Sequence, residues 1–332
     1  MHVEIVGKFF DNHSLSIVNR NIALGLSENI NVSIIPLDSP NPQNKIDVGV
    51  LDGLMMLRDR NQVPSIQIRH SYPIIWRWPE YANTQVVYIQ PWEFMAMPAE
   101  WQYKFDTFAD AVITPSNWTA EVYKNAGIDP NKIHVIPNGY DPEVFNEDGR
   151  PANKDKINFV FVGCYQFRKG LDILLDVWSK ITKQNQSIRL IVKDTPQVYG
   201  TTSLQQDIVK LQYNTNCAEI VYDDSVKSEK EMAALYKSAD FIVHPYRGEG
   251  FGMHIQEAMA CGAIPIVTAG GPTDEFVKDF RVSSGTRIVN MQEIFAIKPG
   301  DSLSSMGQHK WVLEPSREEL ARAIKYVLET PR

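Results

Sequence analysis

The segment from Phe241 to Thr268 fixes the fold class of this chain more firmly than any other. Phe241-Ile-Val-His244 reads as a short buried strand. It runs into a glycine-rich loop, Gly248-Glu-Gly-Phe-Gly252, and then into a helical stretch whose stop signal is Gly262. A second strand, Ala263 to Thr268, follows at once. Strand, helix and strand in so short a span make a βαβ unit, with parallel strands and a right-handed crossover. Glu249 lies on the loop and Glu257 about a turn inside the helix. The free N–H groups of the helix start lie between these carboxylates. That arrangement suits a ligand with an anionic phosphate at one end and sugar hydroxyls around it.

The same alternation runs along the rest of the chain. Val3 to Val6, Val32 to Pro36, Val48 to Leu51, Ile66 to Arg69, Val86 to Ile89, Ala111 to Thr114 and Lys132 to Ile136 read as strands. Leu15 to Leu26 has helical periodicity, and Pro115-Ser-Asn starts a helix over Trp118 to Ala126. Asp141 to Lys156 is polar, with Pro, Gly and charge, and reads as a linker. The pattern restarts at Ile157 to Val162, an apolar run suited to a parallel strand buried on both faces. Further strands are Ile188 to Lys193 and Glu219 to Tyr222. Leu171 to Ile181, Glu229 to Ser238 and Arg317 to Glu329 are the clearest helices. With 332 residues the chain is too long for one ordinary core. The expected architecture is α/β: a Rossmann-like domain over 1–140, a linker over 141–156 and a second Rossmann-like domain over 157–332. The two sheets are expected to face each other across a cleft, with ligands at the carboxyl ends of the strands.

Composition narrows the partners. A net charge of -7 argues against a broad nucleic-acid footprint, and no nucleic-acid partner is expected. The three cysteines, Cys164, Cys217 and Cys261, are far apart and form no disulfide or metal-knuckle pattern, which suits a reducing cytoplasm. The start, Met1 to Gly7, reads as a strand and a turn, not a signal peptide. No apolar run approaches the roughly 20 residues of a membrane helix. No His and carboxylate cluster has metal-ligand spacing, so neither a metal nor another cofactor is expected. The sequence does not speak to oligomeric state.

Glu249-Gly-Phe-Gly-Met-His-Ile-Gln-Glu-Ala-Met-Ala-Cys-Gly262 and the strand after it resemble the signature of retaining glycosyltransferases of family 4, which have the two-domain GT-B fold. Phe161-Val-Gly-Cys-Tyr-Gln-Phe-Arg-Lys-Gly-Leu-Asp172 resembles that family's donor-diphosphate segment. Val135 to Phe145 resembles its domain-closing element, and Thr268 to Val277 its later glycine loop. The resemblance implies transfer of a sugar from a nucleoside diphosphate sugar to a hydroxyl acceptor, without metal. It implies that Glu257 binds the nucleotide ribose and that Glu249 holds the donor sugar near its anomeric carbon. The amides of Gly250, Phe251, Gly252 and Met253 then face the diphosphate or the sugar, beside His254 and Gly163. Arg168 and Lys169 neutralise the leaving diphosphate where its charge grows. Many members carry Arg directly after the glycine, where this chain has Cys164; others place Arg next to Lys, as here.

The first domain resembles the family less. Gln90-Pro-Trp-Glu-Phe94 is similar to a bacterial subset of the family, as are Arg69-His70 and Val192-Lys193-Asp194. Phe10 and His13, on the loop after the first strand, are acceptor-side candidates with Trp92 and Glu93. Lys193 ends a strand on the ligand side. His244 ends a buried strand and reads as a satisfied structural histidine or a cleft histidine. The acceptor is a glycan, a lipid-linked glycan, a protein or a small molecule; a lipid-linked one would bring peripheral membrane association. Members of the family end in a helix that crosses back to the first domain. Here the sequence stops at Glu329-Thr-Pro-Arg332, so a shortened or missing crossing is expected. Two alternatives share the fold: another GT-B enzyme, phosphorylase-like or epimerase-like, and a non-catalytic partner protein.

Overall fold

Short apolar strands separated by amphipathic helices assemble into two parallel sheets in the computed structural model. It describes residues 1–58, 62–151, 155–196, 200, 203–290 and 309–329. One unit comprises Met1–Trp92 and Ala96–Asn138; the other comprises Glu93–Met95 and Gly139–Arg332. Among the described residues, no helix is long and apolar enough to cross a membrane.

The first unit contains β1 (His2–Gly7), α1 (Ser14–Ser27), β2 (Asn31–Pro36), α2 (Val48–Met56), β3 (Ile66–His70), β4 (Gln85–Ile89), α3 (Ala99–Phe108), β5 (Ala111–Thr114), α4 (Asn117–Asn125) and β6 (Ile133–Val135). Its sheet order is β2-β1-β3-β4-β5-β6, with every pair parallel. Val48 to Leu51 is helical here, which corrects the strand expected for it. Asp47 caps the helix by accepting from the Gly49 N–H at 2.8 Å. Both hydrogen-bonding edges of β1 are already taken by β2 and β3. So short an apolar run does not by its period tell strand from helix.

The second unit contains β7 (Ile157–Val162), α5 (Leu171–Ile181), β8 (Ile188–Lys193), α6 (Leu204–Thr215), β9 (Glu219–Asp223), α7 (Glu229–Ser238), β10 (Phe241–His244), α8 (Met253–Ala260), β11 (Ile264–Thr268) and β12 (Arg281–Val282). The chain then adds β13 (Ser284–Asn290), antiparallel to β14 (His309–Pro315), and ends in α9 (Arg317–Glu329). The six-stranded sheet has the order β12-β11-β10-β7-β8-β9, all parallel. The chain runs outward from β7 through β8 to β9, returns to β10 and runs outward the other way. That is the dinucleotide-fold order, and the reversal between β7 and β10 is where such sheets bind ligands.

Alternation along β7 and β10 builds the core on both faces of this sheet. Phe159, Phe161, Phe241 and Val243 pack with Leu171, Leu174 and Trp178 of α5 and with Leu320 and Ile324 of α9. Val160 and Ile242 face the other way, against Ala233 and Tyr236 of α7 and Ile255 and Ala258 of α8. Burying a large apolar side chain of this kind contributes roughly 1.5–3 kcal/mol. The described part of 141–156 lies on the second unit: Phe145 packs against Tyr236 at 6.1 Å. Residues 152–154 of that stretch, and residues 330–332 on which the expectation of a shortened crossing falls, lie outside the described residues.

Candidate active site

Two loops leave the sheet at the β7–β10 reversal. Ile242 pairs with Val160, so both strands end level and their loops start side by side. The first loop, 163–170, closes through a 3₁₀ turn over Phe167–Lys169 and hands over to α5 at Gly170. The second, 245–252, hands over to α8 at Gly252, whose start has no side-chain cap. The loops are joined by backbone: the N–H groups of Arg247 and Gly248 both donate to the Arg168 carbonyl, at 2.7 and 3.1 Å. The buried Arg247 guanidinium clamps them further. It donates to both carboxylate oxygens of Asp172 at 2.7 Å, to the Phe167 carbonyl at 2.8 Å and to Glu314 at 2.9 Å. Arg247 lies within the Phe241 to Thr268 segment, but nothing in the sequence assigns it a role. Its partners sit up to 80 positions away in the chain, where no local period points.

This frame brings Lys169 to Glu249, with Nζ 2.6 Å from Oε2. Arg168 lies against Glu93 at 3.4 Å. Burial by itself would raise the pKa of Glu249, but Lys169 and then Arg168 outweigh it and hold the carboxyl at about 2. Glu249 is therefore ionised at neutral pH, and two cations are held beside the open start of a helix. His254 sits on the first turn of α8. Burial and the adjacent Lys169 push it down to about 3, so its imidazole is neutral. One ligand atom each from His244, Glu249 and His254 lies within 4.8 Å of the others, a grouping that can hold a metal ion and that the spacing argument did not anticipate. In this arrangement the Lys169 ammonium is the cation already on the carboxylate.

Glu257 projects from α8 toward α7, where Tyr236 donates to its Oε2 at 3.2 Å. Burial raises its pKa to about 8, against the lowering effect of that hydrogen bond, so it is mostly protonated at pH 7. Between the ordinary value of 4.5 and about 8, the folded protein holds a proton that the unfolded chain has released. Over that window Glu257 makes folding less favourable as pH rises.

Gly163 follows β7 directly and donates to the Lys193 carbonyl at 3.0 Å. Lys193 is buried, and its Nζ turns to the carbonyl of Asp194. The Asp194 carboxylate in turn accepts from Tyr222 at 3.0 Å. Phe251 is buried, its ring 5.3 Å from that of Phe276 between centroids.

The acceptor-side candidates divide. Phe10 is fully buried in the first unit's core. Trp92 is buried against Trp101, and its Nε1 donates to the Ala96 carbonyl at 3.0 Å. Both rings serve packing. His13 caps α1, its Nδ1 accepting from the Leu15 N–H at 3.1 Å. Glu93 belongs with the second unit, beside Arg168. The reversal point of the first sheet, between β1 and β3, instead holds Asn19, whose Nδ2 donates to the carbonyls of Lys8 and His70 and whose Oδ1 accepts from His70 Nδ1 at 2.8 Å.

The family described as "Glycosyl transferases group 1" matches residues 145–293, and "Glycosyltransferase Family 4" matches residues 48–144 directly before it. A D-inositol 3-phosphate glycosyltransferase of Segniliparus rotundus is 29% identical over 148 residues, covering 42% of this chain and 32% of that protein. The phosphatidylinositol N-acetylglucosaminyltransferase gpi3 subunit of Schizosaccharomyces pombe is 27% identical over 207 residues, covering 61% of this chain and 42% of its own. The chain thus spans less than half the length of these curated relatives. The crystal structure of HepE from Anabaena in complex with UDP-glucose superposes with a TM-score of 0.63 at 15% identity, covering 99% of this chain and 90% of that one. The likeness at that identity is one of fold. Two adjoining family matches, in the same order as the motifs, and a shared GT-B fold over nearly the whole length make this chain a member of the family 4, group 1 glycosyltransferases.

Proposed function

We infer that the chain is a retaining, metal-independent glycosyltransferase that moves a sugar from a nucleoside diphosphate sugar to a hydroxyl acceptor. One observation carries the reading: Arg168 and the Lys169–Glu249 pair lie beside the uncapped start of α8, at the reversal of a dinucleotide-type sheet. Cations and helix N–H groups converge there on the place a diphosphate takes. The relatives' names describe sugar transfer to inositol-containing acceptors, and the Anabaena structure holds UDP-glucose; both agree with a nucleotide-sugar donor.

The chemistry follows from that placement. The bond from the anomeric carbon to the diphosphate oxygen breaks, and Arg168, Lys169 and the α8 amides stabilise the leaving charge. The acceptor oxygen bonds the anomeric carbon on the same face, and its proton passes to the leaving phosphate oxygen. Glu249, ionised, positions the donor sugar and stabilises the oxocarbenium-like state. Glu257 takes the ribose diol. A cytoplasmic location, suggested by three free cysteines, completes the proposal.

Calorimetric titration with UDP, GDP and their sugars tests the donor half. One nucleotide is expected to bind, and Arg168→Ala with Lys169→Ala is expected to weaken it at least about a hundredfold, since each charged hydrogen bond contributes roughly 1.5–3 kcal/mol. Undiminished binding would remove the pair from the site. Run at pH 7 in buffers of different ionisation enthalpy, the same titration is expected to show proton release as Glu257 ionises to accept the diol. Binding without proton release would contradict the Glu257 assignment.

A further inference from the structure

Two imidazoles near Glu249 carry buried ring nitrogens with no hydrogen-bond partner among the described residues. His244 is fully buried, and among the described residues neither of its ring nitrogens has a hydrogen-bond partner. Nε2 of His254 is likewise buried and unpartnered. The two rings meet edge to face, 4.3 Å between centroids, and Phe161 stacks on His244 at 4.9 Å. His244 Nε2 lies 3.8 Å from Glu249 Oε2, just outside hydrogen-bond range. Of the two readings the sequence left for this histidine, satisfied structural or cleft, the first is not met: its ring is unsatisfied. An unpaired buried imidazole costs stability that a phenylalanine, stacked in the same place, would not. A polar group retained at such a cost points to a second state in which it is paired.

The groups around it show which state that is. Glu249 Oε2 now belongs to Lys169 at 2.6 Å, and Arg168 and His254 are the other titratable neighbours. A diphosphate carries more negative charge than one carboxylate and competes for that ammonium. We propose that His244, backed by His254, is a positioning residue that takes over Glu249 Oε2 when a diphosphate draws Lys169 away. The proposal rests on the reading of this site as a diphosphate site. Burial, His254 and Lys169 hold His244 well below its ordinary pKa, so it arrives as a neutral N–H donor. A neutral donor fixes the carboxylate without cancelling its charge. Glu249 then presents its full negative charge to the sugar during transfer, while Lys169 serves the leaving group.

Nitrogen-resolved NMR of the histidine side chains in the full chain reads the exchange directly. The probes are inorganic pyrophosphate and UDP, with His244 assigned by its loss in His244→Phe. A protected, downfield imidazole N–H at His244 is expected to appear on binding and to be absent before it. A bound probe, seen by calorimetry, with an unchanged His244 signal overturns the exchange. Failure of both probes to bind overturns the diphosphate reading itself, and the exchange with it. His244→Phe is further expected to melt higher than wild type without ligand. Its kcat should fall about tenfold to a hundredfold, the value of one hydrogen bond to a charged group, with donor KM changed far less. His244→Gln, which restores an N–H donor, should recover part of kcat. A wild-type kcat in His244→Phe contradicts the proposal.

Discussion

Glu249→Gln is expected to lower turnover of the nucleotide sugar by about a hundredfold to a thousandfold, the range for losing one preorganised electrostatic group. The substitution keeps the shape and the acceptor of the side chain but removes the charge. It also leaves Lys169 with no carboxylate at 2.6 Å. Because Lys169 is largely buried, some loss of stability accompanies the change. The two effects separate experimentally. Saturating UDP is expected to restore the melting temperature, since a bound diphosphate supplies Lys169 with a new partner, while turnover stays low. Near-normal turnover would remove Glu249 from the chemistry.

The second large effect is structural. Gly170→Ala is expected to destabilise the second unit by about 3 kcal/mol or more. The residue has φ of +73°, a left-handed conformation that costs a side chain roughly 1–2 kcal/mol. A Cβ there would overlap the Pro245 carbonyl, and forcing such contacts apart costs about 1–3 kcal/mol. Moving Pro245 moves the loop that carries Arg247 and Glu249, so donor binding should weaken with stability. Gly149 provides the control. It has the same φ of +73° but nothing within 4 Å of an added Cβ. Gly149→Ala should show the conformational cost alone. Urea unfolding of both variants reads the difference; equal midpoints would mean that the Pro245 contact yields without cost.

The parts of the fold that could be read from sequence are those whose signal is local. Ile157 to Val162 is apolar on both faces, as a central parallel strand must be, and β7 occupies that span. The stretch from Phe241 to Thr268 gave strand, loop, helix and strand in order, because each boundary carries its own glycine or apolar run. Val48 to Leu51 failed because its period is too short to judge and a side-chain cap decided it. For the site, chain position and side-chain direction proved to be separate matters. Motif position put Arg168, Lys169 and Glu249 on adjoining loops, and the structure pairs Lys169 with Glu249. The same kind of reasoning put Phe10 and Trp92 near the acceptor, yet both rings turn into the core. Tyr236 against Glu257, Arg247 against Asp172 and Glu93 against Arg168 join residues far apart in the chain. Neither spacing nor periodicity encodes such pairs.

Sugar transfer out of a nucleoside diphosphate sugar through the Lys169–Glu249 site leaves two measurable products, the free nucleoside diphosphate and the new glycosidic bond. Its most direct test is to incubate the protein with nucleotide sugars and a panel of hydroxyl acceptors, with EDTA present, and to follow nucleoside diphosphate release and the configuration of the new bond. Diphosphate release from one donor is expected in the presence of EDTA, with a product of the donor's anomeric configuration and loss of both in Glu249→Gln. Metal-dependent release, an inverted product or undiminished activity of Glu249→Gln would contradict this mechanism.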